Sequence, residues 1–250
     1  MRPPVLLMTA TIQPPADAVN LVRRDVALRM EDYCGALKYY VELLEQDVLS
    51  HIVFAENSNA LIEPLRRIAE ASTHPDRIEF VQFDGLDHPG AYGRGYGEFK
   101  LMDHAMRHSQ AITRLGHSDE VWKVTGRYLV TNLPELLSKR RGSPYLRVHC
   151  RDYPRAWADM YVMAWQPRFY ADRIQGLYHQ LNEEASGISA EPVFRRIVDG
   201  WSAECEVARR LRPVPEVHGV RGFDGVNYAD ARLKRHFRRA MQAIAPWIWV

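Results

Sequence analysis

The chain is poor in cysteine. Cys34, Cys150 and Cys205 are the only three in 250 residues, far apart and with no Cys-x-x-Cys pair. That argues against a disulfide framework or a zinc knuckle and makes a reducing cytoplasm the expected setting. Long apolar runs are also missing. After Met1-Arg2-Pro3-Pro4 comes only Val5 to Met8, too short for a signal peptide or a membrane span. Neither sign of charge dominates: 33 Lys and Arg face 31 Asp and Glu, for a net +2. A pI near 8.4 is mildly basic and falls short of a nucleic-acid binder's signature, so no nucleic-acid partner is expected. No repeat, low-complexity tract or long linker is visible. One α/β domain over residues 1–250 is the simplest organisation.

What the chain does contain is alternation. Val5 to Ile12 is a compact apolar run that reads as a first buried strand, and His51 to Ala55, Ile78 to Phe83 and Val121 to Val124 read as three more. Between them lie helical stretches: Ala18 to Glu45, with a break expected near Tyr33-Cys34-Gly35, then Ala60 to Ala71, and about Glu98 to His108. Strands alternating with helices predict a Rossmann-like, mostly parallel central sheet flanked by helices. The second half is less regular. Tyr145 to His149 and Met160 to Trp165 look like strands, Pro167 to Ala185 and Glu191 to Leu211 like helices, and a basic helix is expected over 229–244.

The strongest candidate site is Lys123-Val124-Thr125-Gly126-Arg127-Tyr128, at the end of the fourth strand. Cations held in such a place ask for an anion, and ligands of open α/β sheets bind at strand carboxyl ends. Lys123 and Arg127 together point to phosphate; an ion pair with a nearby carboxylate is the plain alternative. Thr9 at the end of the first strand and Glu56-Asn57-Ser58 at the end of the second are placed to meet a nucleoside, or else simply to make turns. Gly93-Arg94-Gly95-Tyr96-Gly97-Glu98 opens a helix, so the backbone at Gly95 and Gly97 can approach an anion closely; it fails as a dinucleotide fingerprint because it follows the third strand. His104 and His108, one helical turn apart, have no evident third ligand and read as a solvated face.

Three carboxylates, Asp152, Asp159 and Glu191, are placed to be a general base. Asp159 sits between Trp157 and Tyr161, aromatics suited to holding a sugar ring and raising an acid's pKa. Glu191 follows Gly187-Ile188-Ser189-Ala190, where helix capping is its plain role. Near the carboxyl terminus, Arg232, Lys234, Arg235, Arg238 and Arg239 share a stretch with the apolar stripe Leu233, Phe237, Ala240, Met241 and Ile244, ahead of Trp247-Ile248-Trp249. Such a segment suits either a docked helix or peripheral contact with the inner face of a cytoplasmic membrane.

The strand end Glu56-Asn57-Ser58, the loop Gly93-Arg94-Gly95-Tyr96-Gly97-Glu98 and Lys123 to Tyr128 with Asn132 resemble bacterial glycosyltransferases of surface-polysaccharide and lipooligosaccharide loci. The likeness covers about the first 135 residues. It implies a GT-A-like fold, with 1–135 as the nucleotide-binding half and 136–250 as the acceptor half. It further implies a nucleotide-sugar donor and a glycan or lipid-linked acceptor. Glu56, Asn57 and Ser58 would lie near the nucleoside, and Lys123 and Arg127 near the diphosphate. There is one departure. Where most such enzymes carry an Asp-x-Asp metal motif, this chain has Thr125-Gly126-Arg127. Fixed cations can neutralise a leaving diphosphate as a divalent ion does, so a metal is not favoured, and no cofactor is firmly implied. A non-catalytic nucleotide- or sugar-binding α/β protein is the alternative, and a nucleotidyltransferase a weaker one.

Overall fold

The strand β1 (Val5–Ala10) is the pivot of the architecture. All six of its residues are buried, as a parallel strand covered on both faces requires. The computed structural model describes residues 2–19, 21–140, 142–222, 224–226 and 244. In it β1 pairs in parallel with β2 (His51–Glu56) and β4 (Val121–Thr125), and β2 pairs in parallel with β3 (Ile78–Gln82). The crossovers are made by α1 (Val26–Glu45), α2 (Glu63–Glu70), α3 (Gly93–His108) and the single-turn α4 (Gln110–Thr113).

Strand direction changes after β4. The short β5 (Leu129–Val130) and α5 (Leu133–Ser138) lead to β6 (Leu146–Arg151) and β7 (Trp157–Trp165), which pair antiparallel. β7 also runs antiparallel to β4. Next come α6 (Pro167–Phe169), α7 (Glu183–Ser186), α8 (Ala190–Trp201) and β8 (Val207–Ala208), which joins β6 in parallel. The seven strands lie in the order β3-β2-β1-β4-β7-β6-β8, and β9 (Val217–His218) pairs separately with β5. This is the α/β class with a mostly parallel central sheet.

Alternation along β1 sorts the helices onto two faces. Leu6 and Met8 pack towards Tyr33, Leu37 and Tyr40 of α1. Val5 and Leu7 belong to the other core, with Phe99 and Met102 of α3 and Phe194 of α8. Every strand end therefore opens between α1 on one side and α3 on the other.

Several expected elements are corrected. α1 starts at Val26, because the Asp25 carboxylate caps it by accepting from the Leu28 N–H at 2.8 Å. It also runs unbroken through Gly35, where a side chain would meet open space, so nothing there forces a kink. α3 starts at Gly93, so the glycine-rich stretch is the helix's own beginning and not a loop before it. Residues 167–185 are no single helix. Tyr170–Ile174 forms a π turn, Leu177–Leu181 a 3-10 turn, and Gly176 at φ 80° separates them. The Asp103 carboxylate pins this bend to α3, taking the Tyr170 hydroxyl at 2.6 Å and the Gly176 N–H at 2.8 Å. α8 stops at Trp201, since the chain beyond it is drawn out to pair as β8. The expected basic helix lies outside the described residues, apart from Ile244. Among the described residues no helix is long and apolar enough to cross a membrane.

Candidate functional site

A cleft of about 380 Å³ opens over the carboxyl ends of β1, β2 and β4. Its floor is Thr9, Thr11, Asn57 and Thr125, and the first turns of α3 form one wall. The turn after β4 closes tightly onto β1. The Gly126 N–H donates to the Thr9 carbonyl at 2.8 Å, and a Cβ on Gly126 would stand 2.8 Å from that same oxygen. Only glycine lets the two strand ends come this close.

Lys123 is not in this cleft. It is 1% exposed, its ammonium is paired with Glu98, and it donates to the Met160 carbonyl at 2.7 Å. Burial pulls its pKa down, and Glu98 opposes that by stabilising the charged form. The expected phosphate contact is thus replaced by the ion pair, because Lys123 points inward and α3 brings a carboxylate over it. Arg127 does line the cleft. It donates to the Val220 carbonyl and, at 2.9 Å, to the Tyr128 hydroxyl, and its guanidinium lies 4.5 Å from the Tyr128 ring centroid.

Another cation reaches the cleft from a residue the sequence reading passed over. Arg94 stands in the first turn of α3, exposed and lining the cleft. Its charge is felt at three places: it lowers the pKa of the Tyr128 phenol and of the Glu183 and Glu191 carboxyls. For each of these groups burial is the larger influence and pushes the pKa up. At Tyr128 the charges of Arg127 and Arg94 oppose burial, while Glu98 reinforces it. Arg94 and Arg127 thus both line the cleft beside the amino terminus of α3, a setting that favours an anion. Arg94 was legible only as a member of the Gly93 to Glu98 stretch. Knowing that the helix begins at Gly93 would have singled it out.

The residues expected near a nucleoside divide. Asn57 is 1% exposed and lines the cleft; its Oδ1 accepts from the Thr11 hydroxyl at 2.6 Å, and its amide nitrogen donates to none of the described residues. Thr9 lines the cleft as well, its hydroxyl donating to Glu98 at 3.0 Å. Glu56 does not reach the cleft. Its carboxylate, wholly buried, accepts from the N–H groups of Ile12, Ser58 and Ala60 and from the Ser58 hydroxyl, so it organises the turns after β1 and β2. Ser58 is occupied in the same knot and accepts from the Gln13 N–H at 2.9 Å. Both are turn-makers because a buried carboxylate must be met by donors, and the local N–H groups supply them.

Gly95 and Gly97 touch the cleft, but packing explains their size. A Cβ on Gly95 would sit 2.1 Å from the Ala190 Cβ, where α3 presses on α8, and one on Gly97 would sit 3.3 Å from the His88 ring. Gly93, at φ 85°, has the Glu183 side chain directly against it.

Of the three candidate bases, Asp159 and Glu191 line the cleft, whereas Asp152 is paired with Arg195 at 2.7 Å. Asp159 is not a free carboxylate among aromatics: Arg151 grips it with two hydrogen bonds of 3.1 and 2.7 Å, and the Tyr161 hydroxyl adds a third at 3.3 Å. Antiparallel pairing of β6 with β7 puts Arg151 beside it. Glu191 stands in the first turn of α8. Burial raises its pKa, neighbouring Glu183 raises it further, and its own N–H, Arg94 and the Ser189 hydroxyl pull it back. Glu183, the acid the sequence reading missed, is also raised by burial and is met by the Ala190 N–H. A carboxyl raised in this way is a better proton acceptor than an ordinary carboxylate.

The residues after β4 do not suit a divalent cation. Hard cations take oxygen ligands, and Thr125-Gly126-Arg127 offers one hydroxyl and a repelling guanidinium. Among the described residues no three His, Cys, Asp or Glu side chains form a group able to hold a metal. His104 and His108 remain on their helix face, with the His104 ring stacked on Phe83 at 3.7 Å.

No family model and no curated protein matches the sequence. Solved structures do resemble it. An active-site mutant of LgtC superposes with a TM-score of 0.50 at 10% identity, covering 82% of this chain and 71% of that one. LgtC, named a galactosyltransferase and solved with donor and acceptor sugar analogues, gives a TM-score of 0.48 at 10% identity, over 82% and 72% of the two chains. The inositol-1-phosphate CTP transferase from T. maritima gives 0.44 at 13% identity, over 98% of each. The likeness to the LgtC mutant is one of fold: this chain has the GT-A-like α/β architecture, at an identity too low to carry an activity across.

Proposed function

We propose that this chain is a glycosyltransferase that moves a sugar from a nucleotide-sugar donor to a glycan or lipid-linked acceptor, in the cytoplasm and in the service of surface-polysaccharide synthesis. The observation that carries the reading is that Arg94 and Arg127 line one cleft over the ends of β1 and β4, at the amino end of α3. A nucleoside diphosphate is the ligand whose charge matches such a pair in a cleft of this size. Asn57, with an open amide donor, meets the nucleoside edge; Arg94 and Arg127 hold the diphosphate; Glu191 and Glu183 stand where the sugar and the acceptor hydroxyl meet. With fixed guanidiniums facing the leaving group, the reaction runs without a metal. The name given to LgtC agrees with this reading.

The test is to incubate the protein with UDP-glucose, UDP-galactose and GDP-mannose and follow release of the nucleoside diphosphate, with and without EDTA. Slow donor hydrolysis unaffected by EDTA is the expected result. Tight donor binding with no turnover identifies a binding protein instead. Activity abolished by EDTA and restored by manganese overturns the metal-free part.

A further inference from the structure

One carboxylate oxygen in the cleft accepts from none of the described residues, and its surroundings give it a task. Glu98 reaches the cleft from α3. Its Oε1 accepts from three groups: the Lys123 ammonium, the Thr9 hydroxyl at 3.0 Å and the Thr125 hydroxyl at 3.2 Å. Its Oε2 accepts from none of the described residues, and with the side chain 21% exposed it is open to the cleft. Three donors on one oxygen fix the orientation of the carboxylate, so the other oxygen is aimed. Lys123 anchors it from below as an ammonium withdrawn from water.

The aim can be located. The Arg127, Arg94 and Glu98 side chains all line this one cleft together with Tyr128, so the region they share is its interior. If the guanidiniums hold a diphosphate, the bond from its outer phosphate to the sugar's anomeric carbon lies in that same region. A negative oxygen there stabilises the positive charge that grows on a sugar ring as this bond lengthens.

We infer that Glu98 is a catalytic residue whose Oε2 faces the anomeric carbon of the donor sugar, and that Lys123 is the positioning residue that aims it. The inference rests on the transferase reading. The anomeric carbon–phosphate oxygen bond breaks and its electron pair leaves with the nucleoside diphosphate. The acceptor hydroxyl oxygen forms the new bond to that carbon, and its proton passes to the Glu191 carboxylate. Glu98 forms no bond. It supplies a fixed charge that costs no reorganisation when the transition state arrives.

Glu98→Gln keeps an oxygen that can accept from Thr9, Thr125 and Lys123 but removes the counter-charge of the buried ammonium, so it is compared with the double variant Lys123→Met/Glu98→Gln, in which no buried charge is left unpaired. Turnover of the best donor among the three nucleotide sugars is read per nucleoside-diphosphate-binding site, so that misfolded protein does not count. The expected result is a kcat lower by about 100-fold or more, with donor KM and diphosphate affinity within about twofold of wild type. Glu98→Asp, which keeps the charge, recovers part of the loss. Wild-type kcat in Glu98→Gln overturns the inference. So does a loss of kcat matched by an equal loss of diphosphate affinity, which marks Glu98 as a prop for the site. If the wild-type protein turns over none of the three donors, the transferase reading itself falls, and this inference with it.

Discussion

The two edges of the central sheet each carry a cavity, and the larger one is the less reactive. At the amino-terminal edge a space of about 1110 Å³ is lined by Glu79, Glu120, Arg114 and Arg140 among others. Its two glutamates, Glu79 and Glu120, are spent on holding the fold. Glu120 takes Arg147 at 2.7 Å, the Trp122 indole at 3.1 Å and Arg140 at 3.6 Å. Glu79 takes the Ser109 hydroxyl and the N–H groups of Gln110 and Ala111, closing the start of α4. The cleft at the carboxyl edge has about a third of that volume, yet it keeps an amide donor on Asn57 and a carboxylate oxygen on Glu98 without partners among the described residues. Space does not locate a site. Polar groups held in position yet open to a cleft do, since a ligand can meet them without displacing a protein hydrogen bond.

That contrast is sharpest in stability against binding. Glu120→Ala removes the shared anion of two nearly buried guanidiniums, with side chains 6% and 7% exposed. Unfolding in urea should show a loss of about 3–5 kcal/mol, while nucleoside diphosphate affinity measured by calorimetry stays at the wild-type value. Weakened binding in the remaining folded protein would mean that the two edges are coupled and the contrast is false.

At the carboxyl edge the effects should reverse. Arg94→Ala should weaken diphosphate binding by about 1.5–3 kcal/mol with the melting temperature almost unmoved, since the side chain is exposed. Lys123→Met should leave binding per folded molecule unchanged. If Lys123→Met loses affinity as Arg94→Ala does, the buried lysine reaches the phosphate after all.

The smallest expected effect is on pH dependence. The Glu191 carboxyl is raised by burial and, in lesser part, by the charge of Glu183. A base must be deprotonated to act, so kcat falls as pH drops through its pKa. Glu183→Gln removes a like charge, stabilises the Glu191 carboxylate and should move the acidic limb of the pH–rate profile to lower pH. A limb that stays put would remove Glu191 from proton transfer; a limb that moves upward would contradict the electrostatics of the pair.

How far the sequence could be read differs between the two halves. The strands of the parallel half were legible because burial on both faces leaves continuous apolar runs such as Val5 to Met8. The π and 3-10 turns between Tyr170 and Leu181 were not, since they follow from Asp103, about 70 residues earlier, reaching Tyr170 and Gly176. In the site, Arg127 and Asn57 were found because a strand end is a sequence-local address. Arg94 was passed over because the helix start was set five residues late, at Glu98 in place of Gly93. Glu56 and Ser58 were assigned outward when each was turned back onto its own turn.

The sequence by itself determined the fold class, the strand ends that gather a cleft and the presence there of cations without an Asp-x-Asp motif, since periodicity and local spacing encode all three. The tertiary structure decided which charges remain for a ligand. Lys123 and Glu98 are 25 residues apart and meet only when α3 is laid over β4, while Asp159 meets Arg151 only through the β6–β7 register. A buried ion takes the nearest compatible partner in space, and nearness in space is set by packing between elements that no local pattern records.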